Sequence, residues 1–197
     1  MTLATTIKDE PYRYASGQPV NNWDNKYIGS ARVRYAIEHS MNVCAVRTLT
    51  ETVGLEKGYK YLENFGFTTL VNNDPNYPGM SDIAQATALG GITRGVYNIE
   101  MTAAYAAIAN SGIYTEPLLY TEILDHDGNV LIDNSKPITR RVLKESTAFL
   151  LTSAMQDVIN RGTGTPARLN NMPAAGKTGT TENSTDLWLS AYTPYYT

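Results

Sequence analysis

Two short motifs contain residue types that commonly take part in chemistry. Ser40-Met41-Asn42 combines a hydroxyl with an amide and falls in a predicted break between two helices. Far downstream, Lys177-Thr178-Gly179-Thr180 adds an amine and two hydroxyls on a predicted strand. Each motif alone is common, because a Ser-x-Asn often caps a helix and a strand lysine often points into solvent. Their meaning therefore depends on whether the rest of the chain brings them together.

Phosphate and metal chemistry are disfavoured by the residues around these motifs. Gly176-Lys177-Thr178 matches the end of a phosphate-binding loop, but Asn171 stands where that loop needs glycine, and a β-rich segment follows instead of a helix. His39 and His126 lie far apart, and the single Cys44 has apolar neighbours, so no zinc-type cluster is present. We predict no metal and no cofactor, and a buried structural role for Cys44.

Composition limits the broad class of protein. The chain has 197 residues, 42% of them hydrophobic and 18% charged, which predicts one globular domain or a large part of one. A formal net charge of -3 argues against general nucleic-acid binding, which needs a basic face. We predict no nucleic-acid partner.

Helical periodicity dominates the middle of the chain, after a looped and extended stretch over residues 1–30. Ser30 and Asn98 are predicted N-caps, and Met101, Tyr105 and Ile108 form a stripe expected to be plain core. The predicted helices cover residues 30–39, 43–53, 55–65, 99–110 and 144–160, with a short one at 81–89. The buried face of the longest is expected to hold Leu151, Ala154, Met155 and Val158.

Strands are concentrated late in the sequence. Residues 120–133 predict a hairpin around Asp127-Gly128, a pair typical of a type I′ turn. Two further strands are predicted at 176–181 and 186–193, joined by a turn at 182–185. Mixed helices and antiparallel strands without a βαβ alternation favour the α+β class.

The order, context and spacing of the two motifs resemble the second and third motifs of the active-site serine penicillin-recognising enzymes. The resemblance extends across nearly the whole chain and is closest to the transpeptidase domain of class A penicillin-binding proteins. The segments that carry it are 9–11, 21–29, 36–46, 88–91, 95–101, 104–112, 162–164, 175–181, 186–188 and 192–194. It implies a partial penicillin-binding transpeptidase (β-lactamase-like) fold, with helices packed on an antiparallel sheet.

One motif of the resemblance is absent from the sequence. The family's nucleophile lies in Ser-x-x-Lys, and no serine of the chain is followed three residues later by lysine. The resemblance therefore implies that residues 1–197 are an incomplete transpeptidase domain, without the nucleophile-bearing N-terminal segment and the last core strand. We expect this chain alone to be inactive, and also marginally ordered or dimeric through exposed strand edges.

The resemblance also implies roles for the residues of the strand motif. The family's reaction is acyl transfer from a D-Ala-D-Ala stem peptide of peptidoglycan to an amine on a neighbouring stem. Lys177 is implied to supply positive charge near the substrate's terminal carboxylate, and the hydroxyls of Thr178 and Thr180 to donate hydrogen bonds to it. Gly179 would leave room for a substrate along the strand edge. The backbone N–H of Thr180 would form half of an oxyanion hole.

The Ser-x-Asn motif is implied to serve proton transfer and binding. Ser40 would relay a proton to the departing amine, and Asn42 would hydrogen bond the amide of the bound peptide. The expected partners are a stem peptide ending in D-Ala-D-Ala, β-lactam antibiotics and the missing N-terminal segment of the same domain. The resemblance places the longer protein at the extracytoplasmic face of the bacterial membrane, anchored by an upstream segment.

Two other functions stay open at this stage. A non-catalytic peptide-binding or pseudoenzyme module would also lack the nucleophile. A serine β-lactamase or D,D-carboxypeptidase of the same superfamily is the other alternative, although no segment matches the loop that carries the deacylating glutamate of class A β-lactamases.

Overall fold

The computed structural model describes residues 1–181 and 184–197, and it combines helices with pairs of antiparallel strands. This mixture fits the predicted α+β class. The strands are β1 (Thr6–Asp9), β2 (Tyr12–Arg13), β3 (Pro19–Val20), β4 (Gly29–Arg32), β5 (Ile113–Thr115), β6 (Glu122–Leu124), β7 (Val130–Asp133), β8 (Thr139–Arg141), β9 (Ala175–Thr180) and β10 (Leu187–Tyr192). The α-helices are α1 (Val33–Glu38), α2 (Asn42–Arg47), α3 (Leu55–Asn64), α4 (Asn98–Ala109) and α5 (Glu145–Arg161).

The first helix begins later than predicted. Ser30 does not cap it, because Ser30 lies in β4 directly opposite Lys8 of β1. The helix α1 starts only at Val33, after Arg32 in an extended conformation. Pairing with a strand more than twenty residues earlier in the chain therefore overrides the local helical pattern.

The second predicted helix divides into two parts. Helix α2 covers Asn42–Arg47 and continues as a wider π-helical segment, Thr48–Val53, before Gly54 ends it with a positive φ of 89°. The Thr48 hydroxyl donates to the carbonyl of Cys44 at 2.7 Å, one turn earlier. Cys44 is buried as predicted, and burial raises the pKa of its thiol to about 11.

The region before and within α4 differs from prediction in three places. Asn98 is the first residue of α4 and not its cap, since Tyr97 occupies that position. The predicted helix at 81–89 is reduced to a 3-10 helix, Gln85–Leu89. The expected core stripe is only partly buried and lines a cavity of about 320 Å³, whereas alanines of α4 are fully buried. The stripe consists of Met101, Tyr105 and Ile108, and the buried alanines are Ala103, Ala104 and Ala107.

The predicted hairpin is present, but its turn is of another type. A type I′ turn needs positive φ at both central residues, and of Asp127 and Gly128 only Gly128 has one, at 85°. The Gly128 N–H donates to the Asp125 carbonyl at 3.1 Å, which closes a four-residue turn ending at the glycine. The prediction of type I′ is therefore wrong, since one further residue belongs to the loop.

The late strands and the long helix form the part of the fold that carries the second motif. β9 pairs antiparallel with β10, so that Lys177 lies opposite Ser190 and Gly179 opposite Trp188. Helix α5 packs on β9. Its buried residues are Ala148, Ala154, Met155, Val158 and Ile159, whereas Leu151, predicted to be buried, is partly exposed. The turn predicted at 182–185 lies partly outside the described residues, since 182 and 183 are not among them.

Two features are absent from the described residues. No helix within 1–181 and 184–197 has the length and apolar character that a bilayer crossing requires. The same residues contain no group of three or more His, Cys, Asp or Glu side chains that could hold a metal ion.

Candidate functional site

Ser40 lies on a sharp turn between two helices. Helix α1 ends at Glu38 and α2 begins at Asn42, so the chain reverses over three residues. Ser40 has a φ of 55°, in the left-handed region that L-residues other than asparagine and aspartate rarely adopt. The N–H of the buried Met41 donates to the Ala36 carbonyl at 2.9 Å and closes the turn. This hydrogen bond and the two flanking helices fix the position of Ser40.

Lys177 contacts this turn directly. Its Nζ donates to Ser40 Oγ at 2.7 Å and to the carbonyl of Thr178 at 2.9 Å. The two predicted motifs, 137 residues apart, therefore meet in one place. Burial disfavours the charged amine and lowers the pKa of Lys177 to about 8. An amine with such a pKa can both donate and accept a proton near neutral pH, and the Ser40 hydroxyl is within reach of that exchange.

Thr178 is held by a threonine outside both motifs. The hydroxyls of Thr178 and Thr163 are 2.7 Å apart and share a hydrogen bond. Thr163 follows α5, and its backbone N–H donates to the Glu38 carbonyl at 3.2 Å. Thr163 was not predicted from the sequence as a site residue, although it lies in the 162–164 segment of the family resemblance.

Asn42 begins α2 and is fixed by the loop at residues 21–22. Its Nδ2 donates to the carbonyl of Asn21 at 2.9 Å, and the N–H of the next residue, Val43, donates to Asn22 Oδ1 at 3.2 Å. The Asn22 amide in turn donates to the buried Asp9 carboxylate at 2.8 Å. Asp9 and Asn22 thus connect β1 to the first turn of α2 and hold the Ser-x-Asn turn in position. Neither was singled out as a site residue from the sequence.

Gly179 and Thr180 lie at the exposed end of β9, opposite Trp188 and Leu187. A Cβ added to Gly179 would meet Trp188 Cβ at 3.7 Å, an ordinary contact, so packing within the strand pair does not require glycine there. That the glycine leaves room for a ligand, and that Thr180 binds one, stay predictions.

An ion-pair network connects the two helices next to the site. The buried Glu38 accepts from Arg161 Nε at 3.1 Å, and Arg161 Nη2 also donates to Asp157 at 2.7 Å. Arg34 of α1 donates to the same Asp157 carboxylate at 2.5 Å. The network ties α1, which ends just before Ser40, to the last turns of α5. The Asp157–Arg161 spacing of four residues is readable from the sequence, whereas the link to Glu38 depends on tertiary packing.

Gly162 allows the same two helices to approach each other. A Cβ at Gly162 would contact the Glu38 carbonyl oxygen and lie 2.9 Å from the Val158 Cα. The close passage of the α1 end over the α5 end therefore needs a residue without a side chain. It also brings Thr163 close to Glu38.

Trp23 is an exposed aromatic residue beside the Ser40 turn. Its indole Nε1 donates to the His39 carbonyl at 3.1 Å, while 69% of the residue stays exposed. The residue belongs to the 21–29 segment of the resemblance, but it was not predicted from the sequence as a site residue.

Comparison with known sequences identifies relatives of this chain. The family model described as the penicillin binding protein transpeptidase domain matches residues 1–195. Penicillin-binding protein 1A of Clostridium acetobutylicum is 38% identical over 99% of this chain, which covers 24% of that protein. The chain thus spans about a quarter of the length of this curated relative.

Solved structures show the same fold. Penicillin-binding protein 1A of Haemophilus influenzae superposes with a TM-score of 0.79 at 24% identity, over 98% of this chain and 33% of that one. The PonA1 protein of Mycobacterium tuberculosis, in complex with penicillin V, gives a TM-score of 0.79 at 21% identity, over 98% and 53%. The predicted penicillin-binding transpeptidase fold is confirmed.

Proposed function

Because this chain belongs to the penicillin-binding protein transpeptidase family, we propose that it forms part of a class A peptidoglycan D,D-transpeptidase, which cross-links stem peptides and is acylated by β-lactams. The observation that carries the proposal is the 2.7 Å contact between Lys177 Nζ and Ser40 Oγ. In this contact an amine on strand β9 lies beside a hydroxyl, which supports the roles proposed for the two groups. Both groups are suited to a peptide that ends in a carboxylate.

The proposed reaction consists of two successive acyl transfers. A serine hydroxyl attacks the carbonyl of the D-Ala-D-Ala bond, so a C–O ester bond forms and the C–N bond breaks. The proton from the serine reaches the departing D-alanine amine, and Ser40 is the relay we propose for it. An amine of a second stem peptide then attacks the ester carbonyl, so the C–N bond of the cross-link forms and the C–O ester bond breaks. The proton lost by the amine returns to the serine oxygen.

These residues do not provide the attacking serine. No Ser-x-x-Lys occurs in the 197 residues, so we propose that a segment outside them supplies the nucleophile. The catalytic groups of such a site act as a unit, and the loss of one removes most of the activity. On this proposal residues 1–197 are an incomplete domain and are inactive alone.

The strand motif is assigned to binding. Lys177, Thr178 and Thr180 would bind the terminal carboxylate of the peptide or of a β-lactam, with Gly179 leaving space along the strand and Asn42 bonding the peptide amide. The substrate belongs to the cell wall, so we place the longer protein at the extracytoplasmic face of the membrane. The penicillin V complex of PonA1 supports the β-lactam assignment by similarity of fold.

The test compares this chain with a version extended upstream by its own coding sequence. Both are incubated with a fluorescent penicillin, denatured and separated on a gel. We expect a labelled band from the extended protein only, and much weaker labelling from its Lys177→Ala and Ser40→Ala variants. A labelled band from residues 1–197 alone would show that the nucleophile lies within them.

Two other outcomes identify the alternatives. The missing motif is also what a non-catalytic peptide-binding module would show, and an extended protein that binds the stem peptide without being labelled would favour it. Rapid loss of the label together with fast β-lactam turnover would instead indicate a β-lactamase or carboxypeptidase.

A further inference from the structure

Thr163 lies outside both motifs and hydrogen bonds to Thr178 of one and to Glu38, which lies just before the other. Its N–H donates to the Glu38 carbonyl, two residues before Ser40, at 3.2 Å. Its hydroxyl lies 2.7 Å from the hydroxyl of Thr178, the residue after Lys177. The Gly162 close approach fixes this position, because the chain passes directly over the end of α1.

The protons of the two hydroxyls limit what Thr178 can do. Each hydroxyl has one proton to donate, and the pair shares one hydrogen bond. If Thr178 donates to Thr163, its proton is used and it presents only lone pairs to a ligand. If Thr163 donates to Thr178, the Thr178 proton is free for an anionic acceptor. The hydrogen bond that Thr178 accepts also polarises its hydroxyl and makes it a stronger donor.

From this we infer that Thr163 is a positioning residue for carboxylate recognition, which orients the Thr178 hydroxyl as a donor toward the ligand's terminal carboxylate. The inference rests on the proposed function. Thr163 does not touch the ligand, and its effect passes through Thr178. It should therefore matter for ligands with a free carboxylate and little for the same ligands in uncharged form.

The experiment uses the extended protein that carries the nucleophile segment. The rate constant of acylation is measured with a penicillin and with its methyl ester, for the wild type and for Thr163→Val and Thr163→Ser. Valine has a similar shape without the hydroxyl, and the backbone bond to Glu38 persists in every variant. Thr165→Val, exposed on the same loop, is the matched control.

We expect Thr163→Val to slow acylation by the free acid about 3- to 10-fold, the loss of one hydrogen bond, and acylation by the ester by less than about twofold. Thr163→Ser and Thr165→Val should both behave like the wild type. If the valine variant does not fold, Thr163→Cys, with its weak S–H donor, should show an intermediate loss.

Two results would overturn the inference while leaving the proposed function intact. An equal fall with acid and ester would mean that Thr163 only supports the local fold. Unchanged rates with both would mean that Thr178 needs no orienting partner. If the wild-type extended protein is not acylated at all, the proposed function itself fails, and this result is distinct from the other two.

Discussion

In the Ser40–Lys177 site, several hydrogen bonds join side chains that are far apart in the chain, whereas in the β6–β7 hairpin the bonded residues are close neighbours. Lys177 and Ser40 are 137 residues apart, and Arg161 and Glu38 are 123 apart. In the hairpin, Asp125 accepts from Asn129 four residues later. Both regions are rich in hydrogen bonds, but only the first holds distant elements together.

Burial differs in the same direction. Asp9 and Glu38, which support the site, are buried, whereas every residue of β6 and β7 is exposed and Leu131 is 65% exposed. A bond that is formed locally in water replaces a bond to solvent and adds little stability. A buried long-range bond leaves a desolvated group behind when it is broken, so equivalent substitutions should have unequal effects in the two regions.

The largest contrast is expected between two aspartates with the same kind of role. Asp9→Ala removes a fully buried carboxylate that accepts from Asn22 and from the Ile28 N–H, and we expect a loss of about 2–4 kcal/mol in the free energy of unfolding. Asp125→Ala removes a carboxylate that also accepts from backbone N–H groups but is only partly buried, and its free energy of unfolding should change much less. Urea denaturation of both variants gives the comparison, and equal losses would contradict it.

A glycine pair gives the next largest contrast. Gly162→Ala places a Cβ against the Glu38 carbonyl, where backbone atoms must move, and we expect a loss of about 2 kcal/mol. Gly128→Ala in the hairpin meets nothing within 4 Å and costs only the positive φ of 85°, about 1 kcal/mol. Thermal unfolding followed by circular dichroism measures both. A larger loss at Gly128 would mean that the hairpin constrains the fold more than its exposure indicates.

Titration of Lys177 is expected to change the free energy of unfolding by less than these substitutions do, since solvent reaches part of the side chain and screens its charge. Its folded pKa of about 8 lies below the ordinary 10.5, so between these values the unfolded chain still holds a proton that the folded chain has lost. The free energy of unfolding should therefore rise with pH from about 8 upward. The buried thiol of Cys44 acts in the opposite direction above pH 9.0, because its pKa is raised to about 11.

The contribution of Lys177 is best measured between pH 8 and 9, because the thiol of Cys44 affects the free energy of unfolding only above this range. We expect the melting temperature to rise across it in the wild type, with a flatter profile in Lys177→Met. A Cys44→Ala background extends the window upward and serves as the control. Parallel profiles for wild type and Lys177→Met would show that the amine is not desolvated.

The smallest effect is expected from an apolar residue of the hairpin. Leu131→Ser should change the free energy of unfolding by less than about 0.5 kcal/mol, because the side chain is mostly exposed. Urea denaturation of the purified chain measures it. A loss above 1 kcal/mol would show that the hairpin packs against something in solution, and concentration-dependent unfolding would identify that partner as a second copy.

Sequence patterns correctly predicted those helices and strands whose positions are determined by local interactions. Helix α5 and strands β9 and β10 lie within one or two residues of their predicted positions, because periodicity and flanking turns fix them. Ser30 was misplaced since β4 pairs with a distant strand, and the turn at Asp127 was misread since one residue more belongs to it.

The site was predictable only in part for the same reason. Ser40 and Lys177 were identified through a family resemblance, and the structure brings their side chains together as that resemblance implied. Thr163 and the Glu38–Arg161 pair were missed, because their partners are set by where the end of α5 passes α1. The spacing of residues within one segment cannot predict where two distant helices pass each other.

The left-handed backbone of Ser40 sets stability against the proposed proton relay at a single position. Glycine would adopt that φ without steric penalty, and asparagine would tolerate it better than serine does. Replacement by either should therefore relax the turn while deleting the hydroxyl that Lys177 contacts. Laboratory evolution for thermostability alone would be expected to discard this serine, and selection for the proposed transpeptidase activity to restore it.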